Sequence, residues 1–244
     1  MRSGARVVVV VPAFEEAPRI GRVIAGMPSF VDDIVVVDDG SRDGTAACAR
    51  AIDPRVTVLE HAENRGVGAA IVTGYRWALA KARADGTGTP RDAFAVMAGD
   101  GQMDPADLAA VVEPVIAGVA GYVKGNRFLR AETRDVMPRA RQLGGRVFSR
   151  LTAGAIGVSV DDSQSGYTAI ARQVCASLDL DGLWPRYGYP NDLLGQLAVR
   201  QVRIAEVPVR AIYADEVSKL RARHTVAIAG LVGRAFLRRH GLML

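Results

Sequence analysis

Two runs of β-branched residues, "RVVVVVP" (Arg6–Pro12) and "DDIVVVDD" (Asp32–Asp39), show no alternation of apolar and polar positions. Runs of this kind, bounded by turn residues, predict strands buried on both faces of a parallel sheet. Between them, "APRIGRVIAGM" places Ile20, Val23, Ile24 and Met27 at helical spacing, which completes a βαβ unit. The pattern continues with a helix from about Thr45 to Ile52, the strand "RVTVLE", a helix from about Gly68 to Ala84, the strand "AFAVMA", a helix from about Pro105 to Ala117 and the strand "GYVKG". Such alternation predicts an α/β fold with a doubly wound, mostly parallel sheet and binding loops at the carboxyl ends of its strands. Pro12, Asp38, Asp39 and Asp100 fall at such ends. After Gly125 the alternation fails. A polar stretch runs to Pro138, a helical pattern follows to about Ala155, and short strands are expected at Val158–Asp161 and Tyr167–Ala171.

Composition narrows the classes. At 244 residues and 49% hydrophobic content, the chain suits one domain with a sizeable core. Cys48 and Cys175 lie far apart without metal-ligand spacing, so neither a zinc site nor a disulfide framework is expected, and a reducing, cytoplasmic setting fits. The start, "MRSGARVVVVVPAFEE", reads as a first strand and not as a signal peptide, because Glu15 and Glu16 follow the apolar run at once. No apolar stretch reaches the roughly 18 to 20 residues of a membrane-spanning helix, so a soluble or peripheral protein is expected. The net charge of +5 and pI of about 9.5 favour anionic partners. Aromatic residues, 6% of the chain, do not interleave with a basic stripe, so no nucleic-acid partner is expected.

The motifs first exclude. "PAFEE" after the first strand lacks a Gly-rich turn, "GVGAAIVTG" has no third glycine where a dinucleotide fold needs one, and no G-x-x-x-x-G-K-[ST] loop is present. "VVVDDGSRDGT" puts two carboxylates at a strand end and leaves two readings open. Asp43 or Ser41 caps the next helix while Gly40 supplies the turn, or a carboxylate there, with Asp39 as the choice, accepts hydrogen bonds from a nucleoside.

Eight segments stand in a telling order: "VVVPAFEEAPRI", "IVVVDDGSRDGT", "NRGVGAAIVTGY", "MAGDGQMDPADL", "KGNRF", "DDSQSGYTAI", "YGYPNDLL" and "VPVRAIYADEVSKLR". From Val7 to about Arg223 the chain resembles family 2 inverting glycosyltransferases of the GT-A fold, in the dolichyl-phosphate mannose synthase-like, polyprenyl-phosphate branch. The resemblance implies a single domain over residues 1–223, with a nucleotide-sugar-binding half (1–125) and an acceptor-side half (126–223). Residues 224–244 are then expected to form a terminal amphipathic helix.

The resemblance also implies roles. Pro12, Phe14 and Glu16 match the nucleotide-binding segment, with Phe14 and Glu15 replacing its usual Tyr and Asn. Glu16 and Asp39 resemble base and ribose contacts, and Gly68 joins the donor-binding set. Glu16 also reads as a first-turn helix acid. Asp100 matches the second acid of the family's Asp-x-Asp, Ala98 stands in place of the first, and Gln102 follows where a metal-binding Gln is found. A hard cation, Mg²⁺ or Mn²⁺, is then held by Asp100, the Gln102 amide oxygen, two donor diphosphate oxygens and water. Asp104 before Pro105 reads as a helix cap.

On the acceptor side, Arg127 resembles a phosphate clamp, with Lys124 nearby and Arg141 as a looser match. Asp162 matches an acid that is a general base in relatives with hydroxyl acceptors. A phosphate acceptor is already anionic, and Asp162 then orients basic side chains. Asn191 reads as a cap or an acceptor contact. Ser218 and Lys219 match a pair near the phosphates, while Asp215 stands where the family has an Arg and Arg221 or Arg223 could substitute. His61, His224 and His240 have no evident partners. The tail, with Arg234, Arg238 and Arg239 beside Phe236 and Leu237, covers the core or rests on an anionic membrane, and the membrane is the favoured reading.

The resulting expectation is a metal-dependent enzyme, with Asp100, Arg127, Asp162 and Lys219 in catalysis, that moves a sugar from a nucleotide diphosphate to a polyprenyl phosphate. It is expected in the cytoplasm or peripherally on the cytoplasmic membrane face. Two alternatives stand beside it: a transferase acting on a soluble hydroxyl acceptor with Asp162 as base, and a non-catalytic nucleotide-sugar binding protein.

Overall fold

The computed structural model describes residues 3–86, 88–132, 137–212 and 222–242, without the side chains of 140, 141 and 222–226. Seven strands, β1 (Val7–Ala13), β2 (Asp33–Asp38), β3 (Val56–Glu60), β4 (Ala93–Val96), β5 (Tyr122–Asn126), β6 (Thr168–Ala171) and β7 (Ile204–Pro208), form one sheet in the order β3-β2-β1-β4-β6-β5-β7. β3, β2, β1 and β4 pair in parallel, as do β5 and β7.

Eight helices are described: α1 (Ala17–Ala25), α2 (Thr45–Arg50), α3 (Val67–Ala84), α4 (Leu108–Ile116), α5 (Arg139–Ile156), α6 (Arg172–Ser177), α7 (Tyr189–Val199) and α8 (Ala222–Arg239). Every residue of β1 is buried because successive side chains enter different layers. Val7, Val9 and Val11 pack with Ile20, Ile24, Leu108 and Val111 of α1 and α4. Val8 and Val10 pack with Ile71 and Tyr75 of α3 and with Leu193 and Leu197 of α7. Two buried faces explain why β1 shows no alternation in sequence.

The sheet is mostly parallel, as expected, and the second half departs from the expectation in two ways, by the strand β7 that the pattern did not show and by a stretch that forms none. β6 runs antiparallel to both β4 and β5, so the sheet is mixed. Residues 158–161 form no strand. The Asp161 and Asp162 amides donate to the Glu206 carboxylate at 2.9 and 3.0 Å, and the Ser163 amide donates to Ser149 Oγ at 2.9 Å. Side chains meet the donors that a neighbouring strand would have taken.

α8 also corrects the sequence reading. Ile228, Leu231 and Ala235 are buried, and Ala235 joins the α7 side of the core. Arg238 donates to Asp192 Oδ1 at 2.5 Å, and Arg234 lies 3.6 Å from Asp192 Oδ2. Arg239 donates to the Gly154 carbonyl at 3.3 Å. The three arginines assigned to a membrane therefore bind α7 and α5, because the buried Asp192 needs cations. Among the described residues no helix is long and apolar enough to cross a membrane.

Candidate active site

Parallel pairing brings the carboxyl ends of β1, β2, β3 and β4 to one edge of the sheet. The reversed β6 enters from that same edge, since Thr168 lies opposite both Val96 and Lys124. The loop before β6 therefore meets the loops after β4 and β5, and residues distant in sequence converge.

Two loops interlock after β1 and β2. The Glu15 amide donates to Ser41 Oγ, the Glu16 amide to Thr45 Oγ1, the Ala17 amide to Asp43 Oδ2 and the Arg42 amide to Glu15 Oε1, each at 2.9 Å. Asp43 Oδ1 accepts from the Thr45 amide at 3.0 Å, so Asp43 serves the first residue of both α1 and α2. Phe14 is 40% exposed beside this loop pair, open to a planar ligand, whereas Glu16 is buried and paired with Arg19 at 2.8 Å. Glu16 is the N-cap residue of α1 and its side chain makes no capping bond, so the carboxylate is not the first-turn helix acid of the sequence reading.

Asp39 is buried, and its Oδ1 accepts from His61 Nδ1 at 2.7 Å and the Arg65 amide at 2.9 Å, while Oδ2 accepts from the Gly66 amide at 2.7 Å. Three of about four carboxylate lone-pair positions are thus engaged within the protein. His61, which has no evident partner in sequence, extends this network to Thr73 Oγ1 at 2.9 Å. An imidazole protonated on Nδ1 satisfies both contacts.

Two residues of the expected donor set carry structural contacts of their own. Gly68 is buried, and a Cβ there would lie 2.2 Å from the Trp184 carbonyl oxygen. The missing side chain admits the chain's own 184–185 backbone and leaves no cradle for a ligand. Pro12 is buried within β1, and its carbonyl accepts from the Gly99 amide at 3.0 Å, which holds the loop after β4 in place.

That loop carries Asp100, whose Oδ1 accepts from the Gln102 amide at 3.0 Å across Gly101, at φ +76. A left-handed residue between the two suits glycine. The Gln102 carbonyl accepts from the Ile212 amide at 3.1 Å. Asp104 caps the turn at Pro105 by accepting from the Ala106 amide at 2.9 Å, as expected. Asp100 and Gln102 thus offer a carboxylate and an amide oxygen on one turn, a donor set that fits a hard divalent cation whose remaining ligands are phosphate and water. Among the described residues no three His, Cys, Asp or Glu side chains gather as a metal site.

On the acceptor side, Arg127 grips Asp162. Nε and Nη2 donate to the two carboxylate oxygens at 2.8 Å each, and the Arg127 amide adds a bond at 3.0 Å. Burial alone would raise the Asp162 carboxyl, but the hydrogen bonds and charge of Arg127 outweigh it and hold the group below the usual carboxylate range. Such a group is a weak proton acceptor, which favours the orienting role of Asp162 over that of a general base. Lys124, fully buried, donates to the Ser165 carbonyl at 2.6 Å. Burial pushes its ammonium down to about 8, against the pull of Asp162 and Glu206.

Asn191 caps no helix. It lies inside α7, whose cap residue is Gly188, and its Oδ1 accepts from Thr152 Oγ1 at 2.8 Å and Gln164 Nε2 at 3.2 Å. Arg141 belongs to α5, but its side chain lies outside the described residues, as do Ser218 and Lys219 altogether.

Known proteins share this fold and these sequence motifs. The family model described as "Glycosyl transferase family 2" matches residues 8–178. The chain is 29% identical over 223 residues to the UDP-N-acetylglucosamine–dolichyl-phosphate N-acetylglucosaminyltransferase of Methanococcus voltae, covering 85% of this chain and 86% of that protein. It is 29% identical over 215 residues to the undecaprenyl-phosphate mannosyltransferase of Micrococcus luteus, covering 84% and 82%. The fold matches glucosyl-3-phosphoglycerate synthase from Mycobacterium tuberculosis, crystallised with Mn²⁺, UDP-glucose and phosphoglyceric acid. There the TM-score is 0.68 and the identity 24%, over 99% of this chain and 81% of that one.

Proposed function

The chain belongs to glycosyl transferase family 2, and from that premise we propose that this glycosyltransferase moves a sugar from a nucleotide diphosphate onto a polyprenyl phosphate at a membrane surface. The observation that carries the reading is the Arg127–Asp162 fork, on the same edge of the sheet as the loop of Asp100 and Gln102. A hydroxyl acceptor must lose its proton as it attacks, and Asp162 is ill suited to take it. A phosphate acceptor arrives as an anion and needs only to be oriented. The names of the relatives from Methanococcus voltae and Micrococcus luteus, each acting on a polyprenyl-type phosphate, support the same acceptor class.

Phe14, Glu16 and Asp39 line the nucleoside end of the site, and Asp162 fixes the Arg127 guanidinium so that little reorganisation is needed when phosphate charge arrives. Asp100 and Gln102 would hold Mg²⁺ or Mn²⁺, which supplies charge neutralisation at the donor diphosphate. Lys219, Ser218 and Arg141 belong to the same proposal through their motif positions. In-line displacement inverts the anomeric carbon.

The test is a panel of radiolabelled nucleotide sugars with Mg²⁺ or Mn²⁺, with and without polyprenyl phosphate, followed by organic extraction. Label should enter the organic phase only with the lipid acceptor, and transfer confined to water-soluble products would refute the reading. Asp100→Ala should abolish transfer, whereas Asp104→Ala should cost about 1 kcal/mol of stability through its cap and leave the chemistry intact.

A further inference from the structure

The side of α5 turned away from the sheet is unusual for a surface helix. Leu143, Val147 and Leu151 stand four residues apart and are 67%, 45% and 55% exposed. At about 100° per residue they span roughly 80° of the helix surface, and Arg139, Arg146 and Arg150 fall in an adjoining sector of about 40°. Ser149, Thr152 and Ile156 are buried on the opposite side, so the apolar stripe faces outward by construction. The helix sequence "RARQLGGRVFSRLTAGAI" carries four arginines and no acid. Phe128 packs against Gly145 and lies under the Arg146 guanidinium, 5.3 Å from its ring centroid, and exposed Leu129 continues the apolar surface beside it.

We propose that this face of α5 docks the protein on an anionic lipid bilayer. Apolar side chains enter the interfacial layer while the adjoining arginines meet anionic headgroups, the combination that holds a helix in the plane of a membrane. Charge decides the occupant. A second copy docked isologously would set arginines against arginines with no acid to answer them, whereas an anionic surface complements all of them. The position supports the same assignment. Ser149, on the inner side of this helix, accepts the amide of Ser163, the neighbour of Asp162. The docking face is thus one helix diameter, about 10 Å, from the acceptor side of the site. The biological purpose of the surface rests on the lipid-acceptor reading, but its test does not.

The experiment floats the full chain with vesicles of phosphatidylcholine alone or doped with phosphatidylglycerol, free of any polyprenyl phosphate. The chain should bind the anionic vesicles, less so as salt rises. Leu143→Ser with Val147→Ser and Leu151→Ser should weaken binding by at least about tenfold at unchanged Tm. Arg146→Ala and Arg150→Ala should each weaken it about fivefold. Failure to float with anionic vesicles overturns the assignment, as does a triple-serine variant that binds like the parent. Self-association abolished by the triple substitution, without vesicle binding, assigns the face to a second copy and equally overturns it. Sugar transfer to a short, water-soluble prenyl phosphate without vesicles is measured in parallel. Transfer without vesicle binding removes only the docking face, and vesicle binding without transfer removes only the proposed activity.

Discussion

The Arg127–Asp162 fork concentrates much of the acceptor-side chemistry in two side chains. Asp162 is fully buried, so replacing it with Asn leaves Arg127 without its charge partner, and we expect Asp162→Asn to cost about 3 to 5 kcal/mol in urea unfolding. The sign of its pH dependence follows from the lowered carboxyl. The Asp162 contribution is fully present above the ordinary carboxylate pKa of about 3.9 and is lost as the pH falls through the lower folded value. Stability curves of the parent should therefore drop more steeply below pH about 4 than those of Asp162→Asn. Nothing near Asp162 in sequence announces this partner, because the two residues are 35 apart and meet only where the pairing of β5 with β6 brings the loop after one beside the loop before the other. His61 was hidden for the same reason: its two contacts, Asp39 and Thr73, come from different elements. Asp104 was readable because its cap is local, closing onto an amide two residues away.

Elements are held by contacts with different tolerances. At the start of α3, Gly68 lies so close to the Trp184–Pro185 backbone that a methyl group forces one of them to move. Gly68→Ala should destabilise by about 1 to 3 kcal/mol by overpacking, with a thermal melt as the readout. α8 is anchored differently, since the fully buried Asp192 on α7 takes Arg238 at 2.5 Å and the Trp184 amide at 2.9 Å. Arg238→Ala should cost about 3 to 5 kcal/mol, and hydrogen exchange should quicken first in α8. A helix resting on a membrane would show neither effect. In sequence the inward and outward arginines of this tail look alike, because direction is fixed by the acid that waits on α7.

Across the molecule, β1, β2, β4 and β5 could be read from their apolar runs because strands buried on both faces need no alternation to reveal them, and β3, half-buried at one edge, could be read from its β-branched Val56, Thr57 and Val58. The direction of β6 could not. "TAIA" suits either orientation, and only pairing with β4 and β5 decides. β7 was missed because its "IAEVP" is half-buried at the sheet edge and carries Glu206, whose carboxylate is turned to the 161–162 amides. The eight ordered segments brought the site residues to notice without showing what each touches. Sequence order nominated the candidates, and tertiary pairing supplied their wiring.

The reversed strand has one further consequence. β6 separates β4 from β5 by two strand spacings, about 9.6 Å, so the loop of Asp100 and the loop of Arg127 never share a connection or a ladder. Side chains couple the two sides instead, since Arg130 after β5 donates to Asp107 after β4 at 3.1 Å and the Tyr167 hydroxyl donates to the Asp104 carbonyl at 3.0 Å. A chimaera that exchanges everything after β5 against a relative must therefore bring its own β6 and its own partners for Gln102, Asp104, Asp107 and Gly68, or the nucleotide side loses hydrogen bonds and packing along with the acceptor side.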